Sequence, residues 1–485
     1  MKKLIPQSIK NVYHLFQAVL ANVWYGFPSR RLKVVGVTGT NGKTTTVQMI
    51  ARILEEAGYK VAVSSTINFK IGSQEEVNTT KFTTLSSWQL QKFLREAAEA
   101  GCEWVVMEVS SHSLDQNRVW GIRFDVAVVT NITREHLDYH KTMKGYAKSK
   151  KRLFEMISEN PKGVSVVNLD MKFAKDFLEC PAKEKFGYAV EIPNFKFQSL
   201  NKFQSLSSKF QTVIAEEIEL GVNYSKFKVS VQRDESAASR QGAQFILNLP
   251  GRFNIENALA AICVGLSQGI SLEKISEALA KLKEVPGRIE RIENDRGIEI
   301  IVDYAVTPDS LEKLYEYIEQ IRSNPQRFAS HSRIIAVFGA CGERDRGKRP
   351  IMGEIVARYA DYVIVTNEDP YGEPPLQIIN EVFSGVVGEK ITPDIPNFQF
   401  PVSNLQAISN SQISKIKKEG ENAFRVLDRR EAIKKALQIA RPGDIVVVTG
   451  KGAEETMAVG EKRIPWNDPK MIREVLLEIK KEESQ

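Results

Sequence analysis

The chain has 485 residues, 42% of them hydrophobic and 26% charged, enough for two or three domains with the balance of a soluble globular protein. Its net charge of +7, from 67 basic and 60 acidic residues, is a small excess that phosphorylated ligands account for, and no clustered patch supports a nucleic-acid partner. Four widely spaced cysteines, Cys102, Cys180, Cys263 and Cys341, exclude a zinc ribbon and a disulfide frame and fit a reducing cytoplasm.

The N-terminus carries apolar Ile9, Val12, Tyr13, Phe16, Val19, Leu20, Val23 and Trp24, interrupted by Asn11, Gln17 and Asn22. The spacing predicts an amphipathic helix that is neither a signal peptide nor a membrane span. Such a helix lies on the protein's own surface or at a membrane surface.

Next, Val34 to Thr38 reads as a strand running into Gly39-Thr40-Asn41-Gly42-Lys43-Thr44-Thr45, followed by a helix from Val47 to Ala57. A glycine-rich turn between strand and helix aims backbone N–H groups, a helix N-terminus and one lysine at a triphosphate, here ATP. Lys43 would meet the β- and γ-phosphates, and the Thr44 hydroxyl would meet Mg²⁺. The common loop's first glycine is replaced by Val37.

Short β-branched runs then alternate with helical ones: strands at Lys60 to Ser65, Trp104 to Val109, Asp125 to Thr130 and Gly163 to Asn168, and helices at Ser86 to Ala100 and Lys144 to Ile157. This predicts an α/β fold with a mainly parallel sheet covered on both faces. Glu108 closes one strand, where a carboxylate beside a phosphate site suits Mg²⁺, although a surface glutamate reads equally well. His136 and His140 follow the next strand; for His140 a hydrogen-bonded loop residue is the favoured reading. From about Cys180 to Gln244 the pattern weakens, and a near-duplication at Lys196 to Leu200 and Lys202 to Leu206 reads as a surface insertion.

Order returns at Leu249-Pro250-Gly251-Arg252-Phe253-Asn254, and Val285-Pro286-Gly287-Arg288 punctuates the chain. A domain boundary falls near residue 290. Beyond it a second alternation has strands at Glu299 to Asp303, Arg333 to Phe338, Tyr362 to Thr366 and Asp444 to Thr449. Gly339 and Gly342 follow a strand end, where open α/β sheets bind ligands. Residues Ile391 to Glu421 read as a second polar insertion.

The ordered motifs G-T-N-G-K-T-T, M-E-V-S-S-H, T-N-I-T-R-E-H-L-D-Y-H, Y-x-x-x-K-x-x-L-F, F-N-I-E-N-A-L-A-A, P-G-R and G-E-R-D-R-G-K-R-P resemble the Mur ligase family. The resemblance spans roughly residues 32 to 465. It is nearest to the branch that adds the third residue of the peptidoglycan peptide.

That resemblance implies a P-loop-type central domain (32–290) and a Rossmann-like C-terminal domain (291–485) that binds the amino acid. Residues 1–31 would form a helix in place of a uridine-nucleotide-binding domain. It implies Gly39, Thr40, Asn41, Gly42, Lys43, Thr44 and Thr45 as the ATP phosphate loop. Thr44, Glu108, His136 and a carbamylated Lys150 would serve two Mg²⁺ ions. Asn254 and Asn257 would lie on the adenine side, and Arg288, Asp303 and Lys348 would contact the nucleotide. Thr83, Thr84, Ser110, Gln116 and Arg118 would hold the muramoyl-peptide acceptor, and Arg344, Glu368, Asp369, Pro370, Tyr371, Gly450 and Glu454 the free amino acid. Lys43, Glu108, His136 and Lys150 would be the catalytic set of a cytoplasmic monomer.

Departures refine the expectation. The family's D-N-P-R turn is Glu368-Asp369-Pro370-Tyr371, and the lost arginine disfavours diaminopimelate and suits an amine-ended residue such as lysine. Two family histidines are replaced, by Val306 and Ala453. The short N-terminus leaves open whether the acceptor is UDP-linked, with a lipid-linked or free peptide as the alternatives, and one hypothesis is that the N-terminal helix brings the enzyme to a membrane-borne substrate. The competing readings are a folylpolyglutamate-type or lipid-linked-muropeptide ligase, a P-loop phosphotransferase, and a non-enzymatic ATP-gated binding protein.

Overall fold

The computed structural model describes residues 6–80, 82–190, 210–232, 241–324, 332–388 and 417–483. It divides into two compact units: Met1–Thr133 with Tyr139–Val285, and Arg134–Asp138 with Pro286–Gln485. The near-duplication at 196–206 and most of the polar stretch 391–421 lie outside the described residues.

In the first unit an eleven-stranded sheet runs in the order β11-β10-β9-β8-β7-β6-β1-β5-β2-β3-β4. Its strands are β1 (Lys33–Thr38), β2 (Val61–Ser64), β3 (Asn68–Ile71), β4 (Gln74–Val77), β5 (Trp104–Glu108), β6 (Val126–Val129), β7 (Val164–Asn168), β8 (Glu184–Val190), β9 (Phe210–Leu220), β10 (Ser225–Gln232) and β11 (Gln241–Leu247). The stretch from β2 to β9, through β5, β1, β6, β7 and β8, pairs in parallel. Antiparallel ribbons extend it at both ends. The central strands are almost entirely apolar because helices cover both faces. One face packs Met49, Ile50, Ile53 and Leu54 against Ile255, Leu259 and Ile262; the other packs Leu90, Phe93, Leu94, Leu153 and Phe154.

The segment expected to be a surface insertion is the one large departure. β8 to β11 are structural strands, and Phe186, Tyr188, Val213, Phe227, Val229 and Phe245 are core residues. The alternation in Lys226-Phe227-Lys228-Val229 is a half-buried strand pattern that the flanking polar residues obscure. A two-strand excursion, β3 and β4, had also gone unanticipated. It ends the sheet on β4, whose residues are all exposed and which pairs on one side.

The second unit has a six-stranded sheet, β12-β13-β17-β14-β15-β16. Its strands are β12 (Glu290–Arg291), β13 (Glu299–Asp303), β14 (Ile334–Phe338), β15 (Tyr362–Thr366), β16 (Ala423–Val426) and β17 (Ile445–Thr449). All pairings are parallel except that of β12. β17 lies between β13 and β14, so the chain leaves the sheet's centre and later returns to it. The loops after β13, β14, β15 and β17 therefore gather at the strands' C-terminal ends, where such sheets carry their sites.

Candidate active site

β1 is flanked by β5 and β6, so the loop following it emerges between two strand ends. The helix begins at Lys43, four residues before the expected Val47, because Gly42 caps it with φ 82°. A Cβ on Gly42 would stand 2.1 Å from Asn257 Oδ1, and one on Gly39, at φ 146°, 1.8 Å from Thr130 Oγ1. Glycine is thus required twice, for backbone conformation and for room.

Side chains from β6's end hold the loop. Asn131 accepts from Asn41 N through its Oδ1 at 2.9 Å and from Thr40 N through its carbonyl at 2.9 Å. Thr130 Oγ1 donates to the Asn41 carbonyl at 2.6 Å. Lys43 Nζ donates to the carbonyls of Gly39 (3.1 Å) and Thr40 (2.8 Å).

Glu108, at the end of β5, is buried and accepts from Thr44 Oγ1 at 2.8 Å, Thr66 N at 2.7 Å and Thr66 Oγ1 at 3.0 Å. Lys150 is 1% exposed; its Nζ donates to the Gly39 carbonyl at 2.7 Å and lies 4.6 Å from the Tyr146 ring centroid. Lys43, Thr44, Glu108 and Lys150 therefore meet around one loop. Among the described residues no group of three or more His, Cys, Asp and Glu side chains stands together. One carboxylate and one hydroxyl nevertheless fit Mg²⁺, which keeps waters and substrate phosphates rather than demanding a full protein cage. His136, at φ 55°, groups with the second unit and has its Nδ1 3.9 Å from Glu135.

Asn257 donates to Asn254 Oδ1 at 3.2 Å, and Asn254 Nδ2 to the Pro250 carbonyl at 2.7 Å. The helix Arg252–Ser267 is buried nearly all round, which fixes both amides near the phosphate loop.

The expected acceptor residues also cluster. Thr84 Oγ1 donates to the Glu108 carbonyl at 3.0 Å and accepts from Ser110 N at 2.9 Å. Arg118 Nη1 donates to the Thr84 carbonyl at 2.9 Å. Burial lowers the Arg118 guanidinium to about 10, so it remains a cation at neutral pH. Ser110 caps the helix Ser111–Asp115, whose C-cap is Gln116, and Thr83 is half-buried beside Thr84. Burial pulls His140 down to about 4; its Nε2 lies 3.0 Å from Ser111 Oγ, so it is neutral and hydrogen-bonded as expected, but it ends the short helix Leu137–His140 rather than lying in a loop.

In the second unit Asp303 accepts from Ile289 N at 2.9 Å, and the Arg288 guanidinium lies 4.6 Å from the Tyr304 ring centroid. Lys348, buried, donates to Glu135 at 3.0 Å and to the Val306 carbonyl at 2.8 Å. The turn at 368–371 packs on the loop after β14: Gly342 N donates to the Asp369 carbonyl at 2.8 Å, and a Gly342 Cβ would lie 2.0 Å from the Pro370 carbonyl oxygen. Asp369 accepts from Lys451 Nζ at 2.9 Å and Ala458 N at 2.7 Å, and Lys451 also pairs with Glu454. Arg344 lies 5.9 Å from the Tyr371 ring centroid. Glu368 is buried, and burial pushes its carboxyl up to about 7. A Cβ on Gly450 would lie 2.5 Å from Glu368 Oε2.

Thr66, Thr130 and Asn131 were missed from the sequence. Each sits at or just beyond a strand's C-terminal end, a signal that becomes readable once strand order is known.

Strand, glycine loop, helix start and neighbouring carboxylate define a P-loop-type nucleotide-binding α/β protein. Residues 37–265 match the Mur ligase middle domain and residues 287–452 the Mur ligase glutamate ligase domain. The chain is 36% identical over 476 residues to a UDP-N-acetylmuramyl-tripeptide synthetase of Roseiflexus sp. (strain RS-1), covering 95% of this chain and 82% of that protein. It is 35% identical to a UDP-N-acetylmuramoyl-L-alanyl-D-glutamate--2,6-diaminopimelate ligase of Syntrophomonas wolfei, covering 95% of this chain and 81% of that protein. A solved diaminopimelate ligase structure aligns with TM-score 0.54 at 29% identity, over 93% of this chain and 79% of that one. Mycobacterium tuberculosis folylpolyglutamate synthase with ADP shares the fold, with TM-score 0.59 at 15% identity, over 90% and 91% of the two chains. The chain belongs to the Mur ligase family and is an ATP-dependent ligase that forms carbon–nitrogen bonds.

Proposed function

We propose that this chain joins the carboxylate of a muramoyl-dipeptide-type acceptor to the amino group of an incoming amino acid. The acceptor carboxylate attacks the γ-phosphorus of ATP and ADP leaves; the amine then attacks the acyl phosphate carbon, releasing phosphate and a proton. The observation that carries this reading is the Thr44–Glu108 hydrogen bond at 2.8 Å, which puts a hydroxyl and a carboxylate together at the head of a glycine loop.

Lys43 and the backbone from Gly39 to Thr45 bind the phosphates, the lysine exchanging its loop carbonyls for phosphate oxygens. Mg²⁺ would be held by Thr44 and Glu108, with His136 as a further ligand, and when bound would neutralise charge on the transferring group. Lys150 would add to CO₂ through its uncharged amine, with the two protons of the ammonium passing to solvent, and the resulting carbamate would offer an anionic oxygen to a second ion. Asn254 and Asn257 face the adenine side, and Arg288, Asp303 and Lys348 serve the nucleotide. Thr83, Thr84, Ser110, Gln116 and the charged Arg118 hold the acceptor.

Arg344 clamps the amino acid's α-carboxylate. Tyr371 stands where the family carries an arginine, and Glu368, Asp369, Gly450 and Glu454 form the rest of the turn and its surroundings. Carboxylates without that arginine suit an amine-ended side chain such as that of lysine over one ending in carboxylate.

The test is phosphate release from ATP with muramoyl-dipeptide acceptors, with and without UDP, across lysine, diaminopimelate and other amino acids. Release that depends on both acceptor and amino acid supports the reading. Release that needs no amino acid overturns it in favour of phosphotransfer.

A further inference from the structure

The helix Gln7–Tyr25 is docked the wrong way round for a globular protein. Its inward face carries small or polar residues: Ala18, Ala21 and Asn22 are fully buried. Asn22 Nδ2 donates to the Ala18 carbonyl at 2.9 Å and to the Trp120 carbonyl at 2.8 Å, and Asn11 Nδ2 donates to Asp115 at 3.2 Å. Its outward face carries the bulk: Ile9, Val12, Tyr13, Phe16, Leu20, Val23 and Trp24 are all exposed, Val12 at 67% and Trp24 at 76%. Their spacing of three and four residues puts them on a single stripe. Exposed Trp88 and Trp120 adjoin the helix's end, Trp88 in edge contact with Tyr25 at 6.2 Å.

Charge identifies what covers the stripe. The sequence has no Asp or Glu before Glu55, whereas Lys2, Lys3, Lys10, Arg30, Arg31 and Lys33 precede it. Arg30 and Arg31, immediately beyond the helix, are exposed. An apolar stripe exposed among the described residues, tryptophan and tyrosine at its margin and a flanking sequence with basic but no acidic residues are the complement of an anionic bilayer surface, where aromatic rings settle at headgroup depth. No described helix is long and apolar enough to cross a membrane.

We propose that the helix Gln7–Tyr25 lies in the plane of an anionic lipid bilayer, with its stripe from Ile9 to Trp24 in the acyl boundary. The chain is then a peripheral enzyme whose first unit is held at the membrane. This rests on the helix alone and stands whether or not the amino-acid assignment does.

The test is co-sedimentation of the full chain with phosphatidylcholine vesicles and with phosphatidylcholine vesicles containing phosphatidylglycerol, with amino-acid-dependent phosphate release read alongside. The expected result is binding to the anionic vesicles that weakens with salt. Combined V12S, F16S and W24S should lower the partition at least about tenfold, since large apolar side chains no longer leave water, while phosphate release in solution is unchanged. Combined K10E, R30E and R31E should abolish the preference for phosphatidylglycerol. All six positions lie on the surface or half-buried, and an unchanged melting temperature separates lost binding from lost folding. No binding of the wild type to anionic vesicles, or equal binding by the serine variant, overturns the proposal. So does a wild-type dimer that becomes monomeric in the serine variant without either binding lipid, because a second copy then covers the stripe.

Discussion

Thr44 Oγ1 and Thr66 N donate to the same oxygen of Glu108, at 2.8 and 2.7 Å. The carboxylate is thereby pinned between the phosphate loop and the end of β2, aimed by two donors from different elements.

Glu108→Gln keeps the shape and removes the charge. We expect it to melt close to wild type and to lose turnover on the order of 10²-fold or more, the scale of a removed transition-state electrostatic contact. Glu108→Ala should in addition destabilise by about 1–3 kcal/mol, because buried Thr44 and half-buried Thr66 lose the hydrogen bonds they donate to this carboxylate. Thermal melts and phosphate release against Mg²⁺ concentration separate the two effects. A fully active glutamine variant would remove Glu108 from the metal site.

Lys150→Ala should abolish turnover, and short carboxylic acids should restore part of it by supplying the missing oxygens. Steady-state rates with and without added acid, and with CO₂ depleted for the wild type, provide the check. Full activity in the alanine variant would refute the carbamate.

Gly42→Ala meets two obstacles, a φ of 82° and Asn257 Oδ1 at 2.1 Å from the new Cβ. The left-handed backbone alone costs about 1–2 kcal/mol, and the displaced loop should raise the KM for ATP. Adding Asn257→Ala relieves the collision and leaves the backbone strain. The double variant should therefore be less impaired than the two single effects combined; strict additivity would show that the loop shifts without meeting Asn257.

Stability should depend on pH through Glu368. Burial holds its carboxyl at about 7, against an ordinary value near 4.5, so between those values the folded state binds more protons than the unfolded one. Stability from this group is full below about 4.5, declines as pH rises to about 7, and then levels, by no more than about 3 kcal/mol. Denaturant titrations across that range should show the slope in wild type and its loss in Glu368→Gln. An identical slope in the variant would assign it to another group.

Sequence reading found the parallel strands β1, β2, β5, β6, β7 and β13 within a residue or so at each end, because unbroken runs such as Val105-Val106-Met107 occur in strands buried on both faces. It lost β8 to β11 because their alternation is diluted by polar flanks, and because their apolar residues are buried against the helices Arg252–Ser267 and Leu272–Ala280, which only come later in the chain. The loop lysine, Glu108 and Lys150 were legible as motif members. Thr66, Thr130 and Asn131 were not, since their significance comes from strand order: they matter by standing next to Glu108 or to the loop in space, at separations of 42 to 92 residues along the chain.

The large sheet ends on β4, an outermost strand with one side unpaired and with Glu75 and Glu76 side by side in its four residues. A second molecule offering its own β4 would bring four carboxylates into register, so this border repels self-association where a neutral one would invite it. This margin should therefore resist edge-to-edge pairing when the protein is concentrated, and exchanging the two acids for valine and threonine should make it more prone to aggregate.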